Sequence, residues 1–157
     1  MVISEAGVDP KVAALVYVAA RAPDAGEDYT ALAAKYPTPP ASAGLVHAGG
    51  FASLNEEAFV RDFAGDLDPV EARVLYSVQG RVSDTLFSSR TTAAAWRIKP
   101  SYYAVSTQDR TINPDLERFM ARRMNAKTVE VDASHVSLIS HPQEIADLIL
   151  QATKTGS

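Results

Sequence analysis

The 157-residue sequence contains no cysteine, which excludes a disulfide framework, a thiolate zinc site and a cysteine nucleophile. Its three histidines, His47, His135 and His141, are scattered. They lack the helical H-x-x-x-H spacing of a metal site, so no metal is expected. No glycine-rich phosphate loop follows a strand pattern, and no cofactor is expected either. Long apolar runs are also missing. The longest, residues 12–20, is about nine residues, less than half of the roughly 20 needed to cross a bilayer as a helix. The opening Met1-Val2-Ile3-Ser4-Glu5 carries an acid where a secretory signal needs a basic start, so a soluble, cytoplasmic chain is expected. Basic runs are absent too. Fifteen Lys and Arg against nineteen Asp and Glu give a net charge of −4, so neither nucleic acid nor an anionic membrane surface is an expected partner.

The composition is that of an ordinary globular protein, with 46% apolar and 22% charged residues. That fits one domain, and a chain of this length buries roughly 68–70% of the surface its unfolded form exposes. Residues 12–19 are short, β-branched and apolar on both faces, the pattern of a central strand in a parallel sheet. Residues 21–97 have a different texture. Pro23, Pro37, Pro39 and Pro40 punctuate the first part, and Gly44, Gly49 and Gly50 loosen the next. Two helices then emerge. Phe59, Val60, Phe63 and Leu67 share one stripe, Asp68-Pro69 caps a second helix, and Val70, Val74, Leu75 and Val78 continue its apolar side. With no strand pattern of its own, the segment reads as a mostly helical lid inserted between strands.

Residues 102–107 read as a strand, and Asn113-Pro114 starts a helix carrying Leu116, Phe119, Met120 and Met124, closed by Asn125-Ala126. Residues 127–132 alternate polar and apolar, as a strand near a sheet edge does. In the last helix Ser140 and Gln143 form a capping-box pattern, and Ile145, Leu148, Ile149 and Ala152 form the buried stripe. The fold class is therefore α/β, with parallel strands and flanking helices.

Ligands bind beyond the carboxyl ends of strands in open α/β sheets. Two candidate residues sit there: Asp109, just after residues 102–107, and His135, in Asp132-Ala133-Ser134-His135-Val136. On parallel neighbouring strands both side chains reach one edge. A carboxylate that accepts from one imidazole nitrogen fixes the tautomer and leaves the other nitrogen free to take a proton. His47 and His141 have no such partner on a neighbouring strand and read as structural. Asp24 lies in a turn-like segment and is a weaker candidate acid. Asp132 is too near His135 in sequence to be the first choice. Trp96, Tyr102 and Tyr103 read as core aromatics.

Asp109 in Ser106-Thr107-Gln108-Asp109-Arg110-Thr111-Ile112, then His135, then Pro142 opening a terminal helix, resemble the carboxyl half of an α/β-hydrolase. Gly7-Val8-Asp9-Pro10-Lys11-Val12 through Ala22-Pro23 is similar to the sixth strand of the branch that holds plant hydroxynitrile lyases and methyl ester esterases. The resemblance covers nearly the whole chain. It implies that Asp109 is the acid and His135 the base of a Ser-His-Asp triad. Residues 1–20 and 98–157 would then be core and 21–97 the cap, with a small ester-like substrate. Cyanohydrin cleavage is a mechanistic relative on the same triad.

The family's nucleophile elbow, G-x-S-x-G, is absent from this sequence. By the resemblance the first residues belong to the helix after the elbow, so the serine and both oxyanion-hole amides are expected outside the chain. Ser4 lacks the flanking glycines and is expected on a helix surface. Loss of a triad costs about 2 × 10⁶ in kcat, roughly 8–9 kcal/mol of barrier, so the chain alone is expected to lack esterase activity. The strand at residues 12–19 would expose an unpaired edge, which predicts a homo-oligomer or a complementing N-terminal half. The alternative reading is a non-catalytic module that binds a small apolar ligand or a partner chain.

Overall fold

The computed structural model describes residues 2–154; Met1, the start of the expected first helix, lies outside them. In chain order the elements are α1 (Val2–Ala6), β1 (Leu15–Val18), α2 (Tyr29–Ala33), a 3-10 turn (Pro40–Gly44), β2 (Leu45–Ala48), β3 (Phe51–Leu54) and α3 (Glu56–Ala58). A π-turn (Phe59–Phe63), α4 (Pro69–Ser77), β4 (Val82–Ser83), α5 (Thr85–Ser88) and a 3-10 turn (Ala95–Arg97) come next. The chain ends with β5 (Ser101–Ser106), α6 (Pro114–Arg123), β6 (Lys127–Val131), α7 (Ser137–Ser140) and α8 (Pro142–Thr153).

β1, β5 and β6 form a parallel sheet in the order β1-β5-β6, with Val16 beside Tyr102 and Ser106 beside Val131. The pattern at residues 12–19 predicts a central strand; among the described residues β1 is at the edge and β5 is central, with all six of its residues buried. Periodicity reports burial on the two faces, and β1 is largely covered on both faces while pairing, among the described residues, with β5 alone. Alternate side chains enter two cores. Leu15, Tyr17, Tyr103 and Val105 meet Leu116, Met120 and Trp96 on one face. Tyr102, Ala104 and Val131 meet Ile145, Leu148 and Ala152 of α8 on the other.

Local chemistry fixes the helix flanking the first face. Asn113 accepts from the Asp115 amide at the N-cap of α6, with Pro114 at the first helical position. At its other end Asn125 takes φ 51°. Its amide bonds the Arg122 carbonyl and the Ala126 amide bonds that of Ala121, both at 3.0 Å, a left-handed closure in which Asn tolerates the conformation. The expected capping box at Ser140 does not form. Ser140 ends α7, His141 precedes α8 without a side-chain cap, and Gln143 bonds Asp147 instead. Ile149, expected inside, is 46% exposed, because α8 covers the sheet with a narrower stripe.

Residues 21–97 correct the sequence reading most. They hold a three-stranded antiparallel sheet, β2-β3-β4, where the sequence pattern predicts no strand. Gly49 and Gly50 form its two-residue hairpin loop with φ 61° and 80°, the mirror-image turn that matches strand twist and that glycine adopts at no steric cost. The expected second helix is there, and Asp68 accepts from the Val70 and Glu71 amides. Yet Val70, Val74 and Val78 face outward, and Ala72 is the buried contact.

Candidate functional site

β5 and β6 end side by side, and the loops after them carry Asp109 and His135 to the same edge of the sheet. The Asp109 carboxylate is buried. Its Oδ1 accepts from the amides of Thr111 at 2.6 Å and Ile112 at 3.0 Å, an Asx-type turn that pins the side chain to its own loop. Its Oδ2 accepts from His135 Nδ1 at 2.6 Å. The neutral imidazole then keeps Nε2 as its acceptor nitrogen. His135 itself is held from both sides. Ser134 donates to the Phe63 carbonyl at 3.1 Å, Val136 is buried against Phe59 and Ala72, and the Phe63 ring lies 5.0 Å from the imidazole.

A cavity of about 730 Å³ opens over this edge. His135, Ala19, Leu54, Phe59, Phe63 and Ile112 are among its lining residues. Ala19, directly after β1, has φ 42°, which turns the chain out of the sheet and lets Ala20 and Arg21 line the cavity as well. A second hollow of about 450 Å³, over Glu56, Glu57, Val60, Arg61 and Arg73, contains neither Asp109 nor His135.

The other candidates fall elsewhere. His47 bonds Asp84 at 2.8 Å on the small sheet, and His141 bonds Ser140 at 2.9 Å with Asp66 at 3.9 Å. Asp24 pairs with Arg97, whose hydrogen bonds hold its carboxyl below the usual range. Asp132 accepts from Thr107 and Gln108, which lower it in the same way. Trp96 is core and donates to the Pro23 carbonyl at 3.0 Å; Tyr102 and Tyr103 are core as well. Ser4 is a correction: it is buried rather than on a surface. The short α1 packs so closely that a Cβ on Gly7 would stand 2.7 Å from Leu15 and 2.8 Å from Ala95. Ser42 and Ser53 line the cavity, but among the described residues no serine hydroxyl bonds His135.

Two features near the pair escape the sequence reading. Glu117 of α6 is fully buried, and its Oε2 accepts the Ser106 amide at 3.1 Å. Burial, then the adjacent Asp109 carboxylate, push it up to about 10, which favours its neutral form. A signal is present, since Glu117 shares a helix face with Met120, Ala121 and Met124, three, four and seven residues on. The second feature is Asp62, fully buried in the π-turn. Arg61 at 2.8 Å, together with Arg110 at 2.7 Å, holds it below the usual carboxylate range. Arg110 directly follows Asp109, so this ion cluster ties the acid's loop to residues 59–63. No sequence spacing links positions 62 and 110.

Comparisons with known proteins bear on the family and the fold. The family model for the Alpha/beta hydrolase family matches residues 1–148. The chain belongs to that family. Among solved structures, this hydrolase-family chain is similar to polyneuridine aldehyde esterase, at 15% identity and TM-score 0.70 over 91% of this chain and 63% of that one. It is also similar to a PytH variant, at 19% identity and TM-score 0.70 over 92% and 61%. A third likeness is to an extracellular alpha/beta-hydrolase from a Paenibacillus species, at 16% identity and TM-score 0.61 over 87% and 60%. At these identities the likeness is one of fold. The chain spans about three fifths of the length of those structures. No curated protein matches it. Among the described residues no helix is long and apolar enough to cross a membrane.

Proposed function

We propose that this chain supplies the acid, the base and the substrate-facing lining of a serine hydrolase acting on a carboxylic ester or a similar small acyl compound. The observation that carries the reading is the 2.6 Å bond between a buried, loop-pinned Asp109 and His135, which itself lines an apolar cavity. In this mechanism a serine from outside the chain attacks the acyl carbon, His135 Nε2 takes its proton, and the same nitrogen returns a proton to the leaving alcohol. Asp109 holds the tautomer and stabilises the imidazolium. Residues 1–20 and 98–157 form the core of this unit, and residues 21–97 act as its cap.

The test begins with the coding sequence upstream of Met1. An in-frame strand pattern ending in G-x-S-x-G, followed by nitrophenyl ester hydrolysis by the longer protein, is the expected outcome. In that protein His135→Ala lowers kcat by about 10⁶ and Asp109→Asn by about 10⁴. Full activity of His135→Ala would overturn the reading. A second reading, a non-catalytic binding module, draws on the same cavity together with the lack of a described hydroxyl on His135. A stop codon close to Met1 would favour it. The exposed edge of β1 fits pairing with a complementing N-terminal half or a second copy, and sedimentation tests this through a species heavier than 16.8 kDa.

A further inference from the structure

Arg21 is the only Lys, Arg, Asp or Glu among the residues lining the large cavity. Its surroundings set it apart from the other arginines. Three arginines are half-buried, Arg21, Arg118 and Arg123. Arg118 is ion-paired with Asp115 and Glu130, and Arg123 with Glu27. Arg21 has no ion pair and no hydrogen bond among the described residues. Instead its guanidinium lies 4.7 Å from the centre of the Tyr29 ring and 5.4 Å from that of Phe87, which also lines the cavity.

Two aromatic faces hold the guanidinium plane in place and satisfy part of its charge, but they take up none of its five N–H donors. A partly desolvated cation with its donors unused is costly unless an anion meets it. The rest of the lining is mostly apolar. Gln79 is already spent on both backbone groups of Leu54, and the buried Thr111 hydroxyl has no partner among the described residues. A planar, singly charged carboxylate matches one guanidinium fork in two parallel hydrogen bonds. A phosphate dianion would call for more donors than this lining offers.

We propose that Arg21 binds a carboxylate on the ligand, at the end of the cavity remote from His135. Arg21 follows β1 and His135 follows β6, two strands apart, about 10 Å at roughly 4.8 Å per strand. The anionic group therefore lies several bonds from the carbon that reacts at His135. Resting on the hydrolase reading, this names the substrate class as an ester that also carries a free carboxylate. Arg21 sets specificity and takes no part in bond making.

The test uses the 157-residue chain with phenylacetate and its neutral isostere phenylacetamide, titrated by calorimetry at low ionic strength. Phenylacetate is expected to bind about tenfold more tightly, with the preference shrinking as salt is added. Arg21→Gln removes the preference while leaving phenylacetamide binding unchanged, and Arg21→Lys restores part of it. Equal affinities in the unaltered chain, no binding of either probe up to about 10 mM, or a preference that survives in Arg21→Gln would each overturn the proposal. Calorimetry needs no turnover, so the two readings fail separately. A carboxylate preference without esterase activity in the longer protein removes the hydrolase reading alone, and esterase activity without the preference removes this one alone.

Discussion

The two sheets of this molecule are stabilised in different ways. In the parallel sheet β5 is buried along its whole length between two cores, and the loops at its carboxyl edge are fixed by hydrogen bonds to Asp109 and through Ser134. In the small antiparallel sheet β2 is mostly exposed, Ala52 is fully buried, and the hairpin relies on two glycines with positive φ. A rigid edge that presents Asp109 and His135 thus faces a thin, one-sided layer that supplies cavity lining such as Leu45, Ala52 and Leu54. The contrast separates the part that must hold geometry from the part that shapes the space around it.

The largest effect expected from this contrast is in the core. Leu116→Ala should cost about 2–5 kcal/mol in urea unfolding, whereas Phe51→Ala, on a side chain 46% exposed in β3, should cost under about 1 kcal/mol. Comparable losses at the two sites would break the comparison. The next effect depends on pH. Glu117 has a folded-state value raised to about 10 from an ordinary 4.5, so the folded chain holds a proton that the unfolded chain releases. Stability from this group is therefore full below about pH 4.5 and falls as pH rises toward about 10, by up to about tenfold in the folding constant per pH unit. Glu117→Gln keeps an acceptor for the Ser106 amide and removes the titrating group. It should flatten that slope and stabilise the chain at pH 7; an unchanged slope in pH-dependent unfolding would show that Glu117 is ionised in the fold.

Smaller effects sharpen the picture of the thin layer. Gly50→Val, at φ 80°, should lower stability by about 1–2 kcal/mol. Gly80→Ala meets nothing within 4 Å and has no positive φ, so it should be close to neutral in urea unfolding. Val74→Ser, on the exposed side of α4, should change stability by no more than about 0.5 kcal/mol. A larger loss there would mean that the valine side is covered in solution.

How much of the fold is legible in the sequence depends on the range of each signal. The strand-helix-strand-helix order after Pro100 can be read because each element carries its own period and its own start or stop, as at Asn113-Pro114 and Asn125. The hairpin at Gly49-Gly50 is legible in principle, since Gly-Gly lies between two four-residue segments with β-compatible residues. It escapes a reading by periodicity because β2 has little of the apolar alternation that marks a strand. Val70, Val74 and Val78 mislead for the opposite reason. A helical stripe shows which residues share a side, and only the neighbours decide whether that side is covered.

The sequence by itself determined the α/β class, the helix caps of α4 and α6, and the positions of Asp109 and His135 after two strand patterns, because these depend on interactions a few residues apart. Only the tertiary structure decided that β5 and β6 are parallel neighbours and that the two side chains meet at 2.6 Å. It also brought Arg110 to Asp62, Glu117 to Asp109, and left Arg21 without a carboxylate partner among the described residues. Contacts between residues 8 to 48 positions apart leave no periodic trace in a single sequence, since they arise when separate elements pack and desolvate one another.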